Sequence, residues 1–148
     1  MTVIAWDGKT LAADRRQTSG GLITTGHKIT PLADGSYYAE YGAADRSRAL
    51  LAWFQSGADP EAFPVLEGDE DEDKAAFVIV KPDGTVMQCW GDTPVLTTLY
   101  SPYHAWGCGR EIAIGAMAAG ADAYEAVRLT SEHNCFCGNG IDAYKVVL

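Results

Sequence analysis

No run of this sequence approaches the roughly 20 apolar residues needed to span a bilayer, and its start has neither the basic nor the apolar stretch of a secretory leader. A cytoplasmic protein is expected. Positive charge is scarce too: 11 Lys and Arg stand against 20 Asp and Glu, the net charge is -9, and the basic residues do not cluster. Nucleic-acid binding and attachment to anionic membranes both need concentrated positive charge, so neither is expected. Four cysteines are too few for a disulfide scaffold in 148 residues, and in a reducing compartment they stay as thiols.

What is present suits a single domain over residues 1–148, because 47% of the chain is hydrophobic and its length suffices to bury a two-layer core. Asp-Gly pairs, which favour two-residue turns with positive φ at both central positions, stand between β-prone runs at Asp7-Gly8, Asp34-Gly35 and Asp83-Gly84. In the first of these hairpins Trp6 is expected to face Lys9, and Thr2 to face Ala13, with Asp14 beside it. Residues 15–19 read as a polar turn and 22–29 as a strand ended by Pro31. Strands are also expected over 36–41, 75–80, 85–90, 95–100, 103–106 and 141–148.

Helical spacing of Ala43, Leu50, Trp53 and Phe54 predicts a helix over 43–55, with Arg46 and Arg48 facing out. A second helix covers 110–119 and ends at Gly120. Asp122 with Glu125 opens a third, which runs to about His133. Six of the seven residues 67–73 are acidic, a block that repels itself and reads as a solvated loop. Strands, helix, strands, two helices and a strand make an α+β succession, in which helices cover a pair of packed sheets.

The second residue carries the first chemical suggestion. Thr2 is small enough to allow removal of Met1, and a threonine with a free α-amine holds nucleophile and base together. The amine, with a reference pKa of about 7.7 to 8.0, accepts the hydroxyl proton and activates Oγ for acyl attack.

Four short motifs then carry a resemblance: the start Thr2-Val3-Ile4, the strand end Ala12-Ala13-Asp14, the run His27-Lys28-Ile29, and Gly107-Cys108-Gly109 opening a helix. Together they make the chain resemble the proteasome β subunits and HslV-type peptidases, members of the N-terminal nucleophile hydrolases. The resemblance implies a four-layer αββα sandwich with a shortened middle helical region, and hydrolysis through an ester on Thr2 Oγ. It implies that Asp14 orients Lys28, whose charge lowers the proton affinity of the amine and hydroxyl. Gly42 would supply an N–H to the oxyanion, although the residue taken alone reads rather as a plain strand-to-helix glycine. Peptide or polypeptide substrates, a homo-oligomeric ring and an ATPase unfoldase partner follow from the same resemblance, and no cofactor does.

The chain departs from that family at three points. Cys108 stands where the family has a serine between two glycines, and a thiol is the weaker hydrogen bonder. His133 or Glu132 is the best match to an aspartate at the end of the last helix. Pro60, Pro64 and the acidic block leave little room for a second long helix, which puts the stacking of two rings in doubt. Three readings stay open: a threonine peptidase or amidase, an assembly or binding protein that keeps the fold without catalysis, and a metal-binding domain. The last would use His133, Cys135 and Cys137, with Cys108 as a fourth ligand, although core thiols are the commoner explanation of such cysteines. A Cys108 nucleophile with His133 as its base is a further variant of the first.

Overall fold

A computed structural model of the chain describes residues 1–65 and 74–147, and the acidic block 67–73 lies outside them. Two antiparallel sheets face one another. The first has the order β10-β1-β2-β11, built from β1 (Ile4–Trp6), β2 (Thr10–Asp14), β10 (His104–Trp106) and β11 (Ile141–Lys145). The second has the order β5-β6-β7-β8-β9, built from β5 (Ile29–Pro31), β6 (Tyr37–Gly42), β7 (Ala75–Val80), β8 (Val86–Cys89) and β9 (Thr97–Leu99). Helix α1 (Ala44–Gln55) covers the outer face of the second sheet, and α2 (Arg110–Ala118) with α3 (Ala123–His133) covers that of the first. This is the αββα order expected.

Strand alternation explains why both sheets are covered on both sides. Successive side chains on a strand point to opposite faces. Ile4, Trp6, Leu11 and Ala13 of the first sheet meet Ile29, Ala39, Val78, Val80 and Val86 of the second in a central core. Their neighbours point outward into two further cores. Val3, Ala5 and Ala12 pack against Ala113, Met117, Ala126 and Val127 of α2 and α3. Tyr38, Phe77 and Ile79 pack against Leu50 and Trp53 of α1. The unbroken apolar run of β7 is the sequence mark of a strand buried on both faces, and all six of its residues are buried. Between the sheets, Trp106 Nε1 donates to Gln88 Oε1 at 3.0 Å, which satisfies that buried indole.

Four expectations need correction. The first hairpin pairs Ile4 with Ala13 and Trp6 with Leu11, two residues out of the expected register. Asp7 is the cause: its Oδ1 accepts from the amides of both Lys9 and Thr10, at 2.8 and 2.7 Å, and so makes a four-residue turn. The polar turn expected at 15–19 is a strand, β3 (Arg16–Ser19), and it pairs with β4 (Leu22–Thr25) in a separate exposed hairpin. The strand expected over 22–29 is therefore divided: β4 stops at Thr25, and β5, which ends on Pro31, starts at Ile29 in the second sheet. Arg46 does not face out. It is buried, donating to the carbonyls of Pro64 (2.8 Å) and Gly91 (2.6 Å) with its guanidinium over the Phe63 ring. Carbonyl acceptors replace water at its two terminal nitrogens, while Nε is buried without a partner among the described residues.

Candidate active site

The corrected register decides what surrounds Thr2. Asp14 lies opposite Val3: its amide donates to the Val3 carbonyl at 3.2 Å, and its Oδ1 accepts from the Val3 amide at 3.0 Å. The same oxygen accepts from Lys28 Nζ at 2.8 Å, while Oδ2 accepts from the amides of Gly138 (3.0 Å) and Arg16 (3.3 Å). This carboxylate is fully buried and has four donors, so it has little capacity left for the Thr2 hydroxyl. Its work is to hold Lys28.

Lys28 comes to Asp14 because β5 begins immediately after it, and the Glu40 amide of β6 fixes its carbonyl at 3.0 Å. Its side chain is 4% exposed and crosses from the second sheet to the end of the first, where Nζ also donates to the Met1 carbonyl at 2.8 Å. That carbonyl belongs to the peptide bond joining Met1 to Thr2. Removing Met1 therefore frees an amine directly beside the ammonium of Lys28.

The third wall is Gly107-Cys108-Gly109, which leaves β10 and enters α2. Because β10 pairs with β1, its outgoing residues run past Thr2. The Gly109 amide donates to the Thr2 carbonyl at 3.2 Å, and the Cys108 thiol lies 3.5 Å from the same oxygen. Gly107 has φ +91, and a Cβ there would stand 2.1 Å from that carbonyl. Only glycine admits so close an approach in this backbone region. Gly107→Ala is accordingly expected to destabilise the protein by about 2 to 4 kcal/mol and to displace Thr2. Urea unfolding checks it, and a loss below about 1 kcal/mol would contradict the clasp.

Known structures share this arrangement of sheets and helices. The chain superposes on BPH of Thiobacillus denitrificans with a TM-score of 0.71 at 22% identity, covering 99% of this chain and 98% of that one. A second structure of that protein, in complex with epoxomicin, gives 0.71 at 21% over the full length of both chains. HslV from Trypanosoma brucei gives 0.69 at 17%, covering 97% of each. The chain has the HslV-type peptidase fold. No protein-family model and no curated protein matches its sequence.

Within this HslV-type fold, Gly42 ends β6 two residues beyond Glu40, whose amide bonds Lys28. Its φ is +104, and a Cβ there would lie 2.4 Å from the Lys74 carbonyl. The close approach of Lys74 explains the glycine structurally, whatever its amide does for a substrate.

The loop after α3 is a wall of the site that sequence reasoning missed. Arg16 fastens it to the end of β2, with Nε on Asn139 Oδ1 at 3.0 Å and Nη1 on the Cys135 carbonyl at 2.5 Å. Gly138, on that loop, reaches Asp14. Cys137 is buried with its sulfur 3.9 Å from that of Cys108. A hydrogen bond from Cys137 holds the Cys108 thiol well below its ordinary pKa, against burial, which pushes it up; Cys137 is pushed up by the same bond and by burial. The glycine that follows Cys137 was the available signal, since a Cys-Gly pair echoes Cys108-Gly109.

His133 ends α3 on the exposed side, so Cys108 pairs with Cys137 and not with His133. Glu132 is bonded instead to Arg128 on the helix surface, at 2.5 Å. Among the described residues no group of three or more His, Cys, Asp or Glu could hold a metal, and His133, Cys135 and Cys137 do not converge. No helix among them is long and apolar enough to cross a membrane.

Proposed function

We propose that the chain is an N-terminal threonine hydrolase that cleaves peptide or amide bonds after Met1 has been removed. One observation carries the reading: Lys28, locked on the buried Asp14, donates to the carbonyl of the residue joined to Thr2, so the amine and hydroxyl that Met1 removal exposes lie beside a fixed positive charge. That charge favours the unprotonated amine, which takes the Thr2 Oγ proton directly or through a water. Oγ attacks the acyl carbon, and the Gly42 amide steadies the oxyanion. The intermediate collapses to an ester on Oγ as the amine gives its proton to the departing nitrogen. Water, deprotonated by the same amine, releases the acyl group and restores Thr2.

The likeness to HslV and to a BPH complexed with epoxomicin supports peptides as the substrate class. We extend the reading to a cytoplasmic homo-oligomeric ring, one domain per subunit, fed by an ATPase unfoldase. The second reading, an assembly or binding protein without catalysis, is favoured by the thiol at Cys108 where the related peptidases have a serine. Hydrolysis of fluorogenic peptide amides separates the two. The Met1-free chain is expected to turn over at least about 100-fold faster than a chain that keeps Met1, whose blocked amine cannot act as base. Equal rates in both forms, or none in either, would overturn the proposal.

A further inference from the structure

Cys108 and Cys137 are 29 residues apart in sequence and come from different elements, yet their sulfurs stand 3.9 Å apart. One is exposed and the other buried. Each also belongs to a wall of the site: Cys108 lies between the glycines that clasp the Thr2 carbonyl, and Cys137 precedes Gly138, whose amide holds Asp14. Cys89 is buried in the core under α1, with its thiol on the Thr93 carbonyl, and so takes no part.

We propose that Cys108 and Cys137 are a peroxide-sensitive dithiol, which closes to a disulfide and thereby switches the site off; the second half rests on the hydrolase reading above. Cys108 is the attacking sulfur, because it is the exposed one of the pair, open to peroxide, while the buried Cys137 sulfur 3.9 Å away is placed to share its proton with the Cys108 thiolate. The thiolate attacks one oxygen of hydrogen peroxide: an S–O bond forms, the O–O bond breaks, and hydroxide leaves, taking up the proton that Cys108 released to become water. Cys137, kept protonated until then, attacks the Cys108 sulfur. The S–S bond forms, the S–O bond breaks, and the hydroxyl leaves with the Cys137 proton as a second water. Two thiols are oxidised and one peroxide is reduced.

Closure brings the sulfurs from 3.9 Å to about 2.05 Å. Rotation about both Cα–Cβ bonds and a small shift of the loop 134–140 supply the movement. Once bridged, the Cys108 sulfur is turned away from the Thr2 carbonyl, which it meets at 3.5 Å in the open form, and the loop carrying Gly138 is drawn toward α2 and off Asp14. The lysine anchor and the nucleophile's backbone are disturbed together.

The test treats reduced, purified full-length chain with hydrogen peroxide and maps disulfides by non-reducing digestion and mass spectrometry. Denatured thiol counts should fall from the four cysteines of the chain to two, with a 108–137 link reversed by dithiothreitol. Cys135→Ser should form the same link, and Cys108→Ser should not form it. A link from Cys108 to Cys135, or oxidation of Cys108 onward to sulfinic acid with Cys137 still free, would overturn the dithiol. Peptide hydrolysis should fall at least about tenfold on closure and recover with dithiothreitol, since a wall of the site has shifted. A link that forms while hydrolysis is unchanged refutes the switch alone. A link that forms in a protein that hydrolyses nothing even when reduced leaves the dithiol standing and refutes the hydrolase reading.

Discussion

Asp14→Ala is expected to lower the stability of the protein by about 3–5 kcal/mol, the range found when one partner of a buried ion pair is removed. The reason lies in what is left behind. Lys28, 4% exposed, would be left with no counter-charge at 2.8 Å. The amides of Val3, Arg16 and Gly138 would lose their common acceptor. A buried lysine without its partner and several orphaned amide donors each cost free energy, and the costs fall at one point of the structure. Lys28→Met should cost less, because the carboxylate keeps three backbone donors. Urea unfolding of both variants measures the difference. A loss under 1 kcal/mol for Asp14→Ala would mean that Asp14 and Lys28 are not locked together as described.

On the proposed mechanism Thr2→Ala should reduce peptide hydrolysis by about 10⁴-fold or more, as loss of the nucleophile does in acyl-transfer enzymes. The fold should survive. Among the described residues no hydrogen bond joins the Thr2 hydroxyl to a partner, so its removal orphans nothing, and the loss in stability is expected to stay below about 1.5 kcal/mol. The backbone carbonyl, which is what the Gly107-Cys108-Gly109 clasp holds, is unchanged by the substitution. Undiminished hydrolysis by a folded Thr2→Ala protein would remove threonine from the mechanism.

The parts of this structure that were legible in the sequence are those governed by local rules. Asp122 as N-cap, accepting from the Glu125 amide at 2.8 Å, and the apolar spacing behind it delimit α3 from Ala123 to His133 as expected. The continuous apolar run 75–80 is β7. The four-layer order followed from the succession of elements together with the family likeness. Other parts depend on choices that the local pattern does not make. A two-residue Asp-Gly turn and the observed four-residue turn share the same letters, and the Asp7 side chain selects between them. The hairpin of β3 and β4 buries too little to leave an apolar alternation. Arg46 is buried because carbonyls from two distant loops converge on it.

The candidate site divides in the same way. Thr2, Asp14 and Lys28 were named from short motifs, and the ion pair between Asp14 and Lys28 is present at 2.8 Å. The contact of Lys28 with the Met1 carbonyl could not be read from order alone. Cys137 reads from the sequence as a core thiol or a metal ligand and Gly138 as part of a turn; their actual contacts, with Cys108 and Asp14, span 29 and 124 residues respectively. Long-range contacts of this kind are set by the docking of the last loop on β2.

The most direct test of the Thr2 assignment is the intact mass of the Met1-free chain before and after exposure to a peptide epoxyketone. Such a compound presents a ketone to the hydroxyl and an epoxide to the amine, so it closes a ring only where both stand on one free N-terminal residue. The account predicts a single adduct that adds the whole mass of the compound, and that is missing from Thr2→Ala and from chain retaining Met1. An unmodified mass for the Met1-free chain, or an adduct that persists in Thr2→Ala, would contradict it.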